Sequence, residues 1–278
     1  MTGLPYQELA FKLAGMFSAF PKVEAAGLAG SQASGGVDHS SDIDLYIYTT
    51  GLIPLADRVA LLAASGGASR ADMDLQFWDP GDEWFDAGTG IEVDVMYWDT
   101  AWIEEQLDRV LVRHQAGMGY TTSFWHTIQN SKVLFDRRGW FAGLQEKAAQ
   151  PYPEALRREI IRKNQPVLRS VIPSYMHQIE KAIQRGDLVS LNHRVAALLA
   201  SYFDVLFALN RLPNPGEKRL LQIAAERCGR LPLGMREEVE DVLRAAASWE
   251  GDLPGKISRL VDNLDRLLVE EGFLQNLS

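Results

Sequence analysis

Residues 30–48 read Gly30-Ser31-Gln-Ala-Ser-Gly-Gly-Val-Asp-His-Ser-Ser41-Asp42-Ile-Asp44-Leu-Tyr-Ile-Tyr48. A short apolar run, 23–29, leads into it and reads as a buried strand that ends at Gly30-Ser31. Glycine lets backbone approach a ligand closely, and serine offers a hydroxyl beside its N–H. Successive N–H groups in such a turn make a nest suited to phosphate. From residue 43 to 49 the chain alternates, with Ile43, Leu45 and Ile47 on one face of a strand. Alternation puts Asp42 and Asp44 together on the other face. Two neighbouring carboxylates repel unless a positive charge lies between them, and hard oxygen donors favour Mg²⁺ in that role.

A third carboxylate is expected from a neighbouring strand. Ile91-Glu92-Val-Asp94-Val-Met-Tyr-Trp98 supplies it, with Ile91, Val93 and Val95 apolar and Glu92 and Asp94 on the polar side. Asp94, set between two valines, is the better fixed. Working outward, helices are expected over 5–20, 55–64, 100–113 and 140–149, and further strands over 72–78 and 132–135. The run 72–78 is expected to turn Met73, Leu75 and Phe77 inward. Residues 79–90, with Pro80, Gly81, Gly88 and Gly90, read as a loop in which Trp84 is placed to stack on a base or substrate ring.

The texture changes at Gln150-Pro-Tyr-Pro153. Beyond it the periodicity is helical, over 154–164, 167–185, 187–210, 217–228, 235–248 and 255–271, with proline and glycine in the gaps. The expected architecture is α/β + α: a small mixed sheet with flanking helices in domain 1–150, and a helical bundle in 151–278.

Composition narrows the function. The 278 residues are 46% hydrophobic and 23% charged, ordinary for a globular chain, with a net charge of −9. Residues 1–150 carry 10 Lys/Arg against 20 Asp/Glu, whereas 151–278 carry 18 against 17. A catalytic half this acidic argues against a polynucleotide partner bound by counterion release. A single cysteine, Cys228, excludes an internal disulfide and a cysteine zinc cluster. The N-terminus lacks a basic region, and the longest apolar segment, 195–209, falls short of the roughly 20 residues of a membrane span. The expectation is a cytoplasmic protein without a membrane partner. Walker A and dinucleotide glycine motifs are absent.

The Gly-Ser turn, the spacer, Asp42-x-Asp44 on a strand and Asp94 on a later strand together resemble the polymerase-β-like nucleotidyltransferase superfamily. Ser131-Lys-Val-Leu-Phe-Asp-Arg-Arg-Gly139 and the helical second half are similar to its bacterial antibiotic-nucleotidyltransferase members. Ala208-Leu-Asn210-Arg-Leu-Pro-Asn-Pro-Gly216-Glu-Lys218-Arg219 resembles a helix-turn-lysine element of other bacterial members. The resemblance implies two Mg²⁺ ions held by Asp42, Asp44 and Asp94, with ATP or another nucleoside triphosphate as donor. It implies nucleotide contacts from Gly30, Ser31, Ser41 and Lys218, with Asn210 fixing the turn that presents the lysine. Asp94 or Glu92 is the implied general base. The implied reaction moves a nucleoside monophosphate, AMP from ATP, to a hydroxyl of a small molecule. The acidic first half suits a cationic acceptor such as an aminoglycoside antibiotic.

Other readings stand beside it. A haloacid-dehalogenase-type phosphatase also uses Asp-x-Asp, but its motif follows a hydrophobic strand, whereas Val-Asp-His-Ser-Ser precedes Asp42 here. A regulator or antitoxin-like binding module without turnover, and a transferase acting on a protein or tRNA end, complete the set.

Overall fold

The computed structural model describes residues 5–28, 42–248 and 252–275. Gly30, Ser31 and Ser41 lie outside the described residues. The chain forms two compact units, Met1–Asp108 with Phe124–Gln150, and Arg109–Ser123 with Pro151–Ser278. Arg109–Ser123, inside the range expected of the first domain, thus belongs with the helical unit. Buried hydrogen bonds from Thr121 to Asp204 hold it there.

The first unit is built on a six-stranded mixed sheet in the order β3-β4-β5-β2-β1-β6. The strands are β1 (Val23–Leu28), β2 (Ile43–Thr49), β3 (Ala68–Leu75), β4 (Gly81–Asp86), β5 (Glu92–Asp99) and β6 (Lys132–Asp136). β2 and β5 pair in parallel, and the other four pairings are antiparallel. The helices are α1 (Pro5–Phe17), α2 (Leu55–Ala64), α3 (Thr100–Leu111), α4 (Ser123–Asn130) and α5 (Trp140–Ala148), with α3 running across the boundary at 108. Ile43, Leu45 and Ile47 of β2 and Val93 and Val95 of β5 are fully buried. They join one core with Leu9, Leu13 and Phe17 of α1 and with Leu61 and Leu62 of α2. The apolar alternation of both strands therefore fixes which faces turn away from that core.

Three details differ from the sequence reading. Residues 81–86 are a strand, not a loop, and Trp84 is 3% exposed within the core. Trp84 is therefore withdrawn from the candidates for stacking on a ligand. The strand was hidden because its buried face is Asp82, Trp84 and Asp86. Asp82 accepts from the Arg58 guanidinium, the Tyr97 hydroxyl and the Asp74 N–H. Asp86 accepts from Gly88, Thr89 and the Thr89 hydroxyl. Buried carboxylates so partnered are tolerated where bare ones would not be. β3 ends at Leu75, so Phe77 and Trp78 project into solvent and do not face the core. A further helix, α4, fills part of the stretch before β6.

The second unit contains α6 (Glu154–Arg169), α7 (Tyr175–Arg185), α8 (Leu188–Leu209), α9 (Leu220–Arg227), α10 (Met235–Ser248) and α11 (Leu253–Glu270). α6 runs on through Pro166, and the break falls at 170–174, where Ser174 caps α7 by accepting from the His177 N–H. α8 is buried almost all round toward its C-terminal end. α9 starts at Leu220, so Lys218 belongs to the turn ahead of it. No helix among the described residues is long and apolar enough to cross a membrane.

Candidate functional site

The sheet face turned away from the α1/α2 core carries the acids. The parallel register pairs Asp44 of β2 with Asp94 of β5. The antiparallel register on the other side of β5 pairs Asp94 with Glu83 of β4, and Glu83 pairs in turn with Asp72 of β3. Paired residues point to the same side, so four strands bring a row of four carboxylates to one face. Asp44 and Asp94 are half-buried, while Glu83 and Asp72 are exposed. Asp42, exposed, immediately precedes β2 with the same parity as Asp44. Glu92 is exposed at the start of β5. Asp72 and Asp74 lie three strands from β2, and both are engaged by arginines, Asp72 by Arg70 and Asp74 by Arg58.

Next along β2 on the acid face stands Tyr46. Its ring lies 4.2 Å from that of Trp98, whose indole N–H donates to Asp79 at 3.0 Å. Burial, and then the Asp44, Asp94 and Asp79 carboxylates, hold the Tyr46 phenol far above its ordinary range. Asp44 and Asp94 therefore act on one point of the face. Beyond Tyr46 the surface turns aromatic. Trp98 contacts Trp102 and Phe124 at 5.7 and 5.4 Å, and Tyr48 contacts Phe141 and Trp140 at 4.6 and 5.3 Å. Trp102 and Phe124 keep partly exposed faces.

Among the described residues, no three His, Cys, Asp or Glu side chains gather closely enough to hold a metal ion by themselves. The donor chemistry still fits Mg²⁺. That ion is commonly held by one or two carboxylates, with substrate phosphates and water completing its octahedron.

Glu83 was missed from the sequence, because the segment around it looked like a loop. The signal was its place opposite a buried Trp84 in a period of two.

In the helical unit, Lys218 is exposed between Gly216 and α9, and Arg219 takes a left-handed conformation (φ 56°) at the helix start. Asn210 does not hold this turn. Its amide donates to the Leu206 and Arg230 carbonyls and accepts from the Arg230 N–H, which ties the end of α8 to a later loop. Asn214 holds the turn instead: its side-chain oxygen accepts from the Gly216 N–H at 3.0 Å.

Residues 121–219 match a domain of unknown function, DUF4037. Among curated protein sequences none matches the chain. Among solved structures, the chain is similar to a nucleotidyltransferase-like protein from Exiguobacterium sibiricum 255-15. The identity is 13% and the TM-score 0.44, over 95% of this chain and 75% of that one. It is also similar to an aminoglycoside 6-adenyltransferase from Bacillus subtilis at 10% identity and a TM-score of 0.32, over 96% of this chain and 89% of that one. Likenesses this distant leave the chemistry to rest on the residues themselves.

Proposed function

We propose that the protein transfers a nucleoside monophosphate, AMP from ATP, to a hydroxyl of a small molecule, with Mg²⁺ held at Asp42, Asp44 and Asp94. The observation that carries this reading is the in-register pairing of Asp44 with Asp94 on the face opposite the core. Like charges placed directly opposite each other on paired strands are destabilising unless something offsets them. Carboxylates so placed would hold Mg²⁺, which when bound neutralises phosphate charge. The acceptor oxygen attacks the α-phosphorus, a new P–O bond forms, and the bond to the β-phosphate's bridging oxygen breaks, releasing pyrophosphate. The hydroxyl proton passes to a carboxylate. Glu83 suits that role better than Glu92, because it pairs directly with Asp94 whereas Glu92 lies two residues along β5. Gly30, Ser31 and Ser41 are assigned to the phosphates, as is Lys218 with the N–H groups at the start of α9.

The acceptor is read as small and cationic, such as an aminoglycoside antibiotic. The acid row and the partly exposed Trp102 and Phe124 rings support it, since carboxylates and ring faces both attract cations. The test is incubation with each nucleoside triphosphate, Mg²⁺ and a panel of hydroxyl-bearing amines, measuring pyrophosphate. Release that depends on one acceptor class is the expected result. No release with any pair, together with no triphosphate binding, would overturn the reading.

A second reading, a nucleotide-binding module without turnover, is favoured by the lack of a ready three-carboxylate cluster among the described residues. Tight triphosphate binding with no pyrophosphate released under any condition would select it.

A further inference from the structure

The helical unit buries a carboxylate that the reaction does not use. Asp204 is 1% exposed on α8, between Phe203 and Val205 in the most apolar part of the helix. An ionised group there is costly unless donors surround it. Three do. The Thr121 N–H and the Asn214 side-chain amide each donate to Oδ1 at 3.1 Å, and the Thr121 hydroxyl donates to Oδ2. Asn214 is itself fully buried, and its backbone N–H donates to the Thr122 hydroxyl at 2.7 Å. Its remaining acceptor, Oδ1, receives the Gly216 N–H. Pro213 and Pro215 flank it with fixed φ angles, and Gly216 takes φ +98°, a conformation strained for any other residue. A continuous chain of hydrogen bonds thus runs from the buried C-terminal part of α8, through one asparagine, to the backbone two residues before Lys218.

We infer that Asp204 and Asn214 are positioning residues for Lys218: the buried carboxylate sets the Asn214 amide, which sets the turn that aims the lysine at phosphate. This rests on the reading that Lys218 binds the triphosphate. A lysine on an exposed turn otherwise loses rotamer and backbone freedom on binding, and a preset turn lowers that cost. Asn210, whose amide is engaged elsewhere, has no part in it.

The experiment measures binding of Mg²⁺ with ATP, and of inorganic triphosphate, to the full chain by calorimetry. The variants are Lys218→Ala, Asn214→Ala and the double substitution, each checked for folding by circular dichroism. Lys218→Ala should weaken binding about 10–100-fold, and Asn214→Ala about tenfold. The double variant should bind no more weakly than Lys218→Ala alone, because a positioning residue has nothing left to position. Should Asn214→Ala fail to fold, Gly216→Ala replaces it. A Cβ there meets open space, so it strains the turn without touching the core. Unchanged binding in the folded turn variant, or losses that simply add to that of Lys218→Ala, would overturn the inference while leaving triphosphate binding intact. Failure of the wild type to bind triphosphate would overturn both.

Discussion

The two faces of the sheet treat aspartate in opposite ways. On the core face, Asp82 is wholly buried and matched by the Arg58 guanidinium, the Tyr97 hydroxyl and the Asp74 N–H. On the other face, Asp94 is half-buried and has carboxylates beside it on both neighbouring strands, Asp44 on β2 and Glu83 on β4. One arrangement surrounds a charge with donors, and the other sets charge beside charge. The first is what a fold needs to keep a carboxylate inside. The second gathers negative charge on one face, and a site that must attract a cation is a reason to keep it.

The comparison predicts opposite outcomes for the same conservative change. Asp44→Asn or Asp94→Asn should lower nucleotidyl transfer by on the order of 10³-fold, the range seen when a main electrostatic contributor to a transition state is removed. The melting midpoint should stay close to the wild-type value, because both positions lie outside the apolar core and asparagine keeps the size of the side chain. Pyrophosphate release and the melting midpoint, measured on one preparation, check both halves. Near-wild-type turnover in a folded variant would break the assignment of the acid face. Asp82→Asn should do the reverse. Arg58 then keeps only the half-exposed Asp74 carboxylate, 2.7 Å away, as a charged partner, and losing the buried charged hydrogen bond to Asp82 costs about 1.5–3 kcal/mol. Denaturant unfolding should show that loss. Transfer per folded molecule should stay near the wild-type value.

Glu83 sharpens the contrast within the acid face itself. If Asp44 and Asp94 serve the metal, Glu83 is left to take the acceptor proton. Glu83→Gln should then cut turnover about 10²–10³-fold, while triphosphate affinity stays unchanged. A loss of affinity equal to that in Asp94→Asn would instead place Glu83 among the metal's ligands.

How far the sequence carried this picture varied with the physics of each segment. β2 and β5 were legible because the aliphatic residues Ile43, Leu45, Ile47 and Val93, Val95 recur at every second position, and that alternation also sets Asp44 and Asp94 on the non-core face. β4 was not legible, because two of its three inward residues are aspartates whose partners, Arg58 and Tyr97 for one and the 88–89 turn for the other, are known only once the chain has folded. Pro166 read as a helix boundary and is not one, since α6 absorbs the missing donor and ends at 169. The exchange of roles between Asn210 and Asn214 had no local signal at all. Both lie near the same turn, and what separates them is contact with Asp204 and Thr122 for one and with Arg230 for the other. Thr121 and Asp204 meet across 83 residues of chain, a distance over which no spacing rule operates.

Asp204 supplies the smallest of the expected effects and tests the comparison from the helical side. Like Asp82 it is buried among donors, but the donors that hold it, on Thr121 and Asn214, are all neutral. Burial therefore outweighs the hydrogen bonds and pushes its carboxyl up to about 6, from an ordinary value of 3.8. A folded-state value above the unfolded one means that the folded protein binds the proton more tightly. The associated stability is present in full below about pH 4 and is lost as pH rises through about 6, by at most about 3 kcal/mol. The phenols of Tyr152 and Tyr120, which feel the Asp204 charge, are themselves pushed upward by burial, out of this window. Asp204→Asn keeps an oxygen for the Thr121 and Asn214 donors and removes the titration. The asparagine variant should therefore gain on the wild type as pH rises from 4 to 7, measured as the difference in unfolding free energy from urea titrations at each pH. A difference that stays flat over that range would mean that the three neutral hydrogen bonds offset the burial of the Asp204 charge.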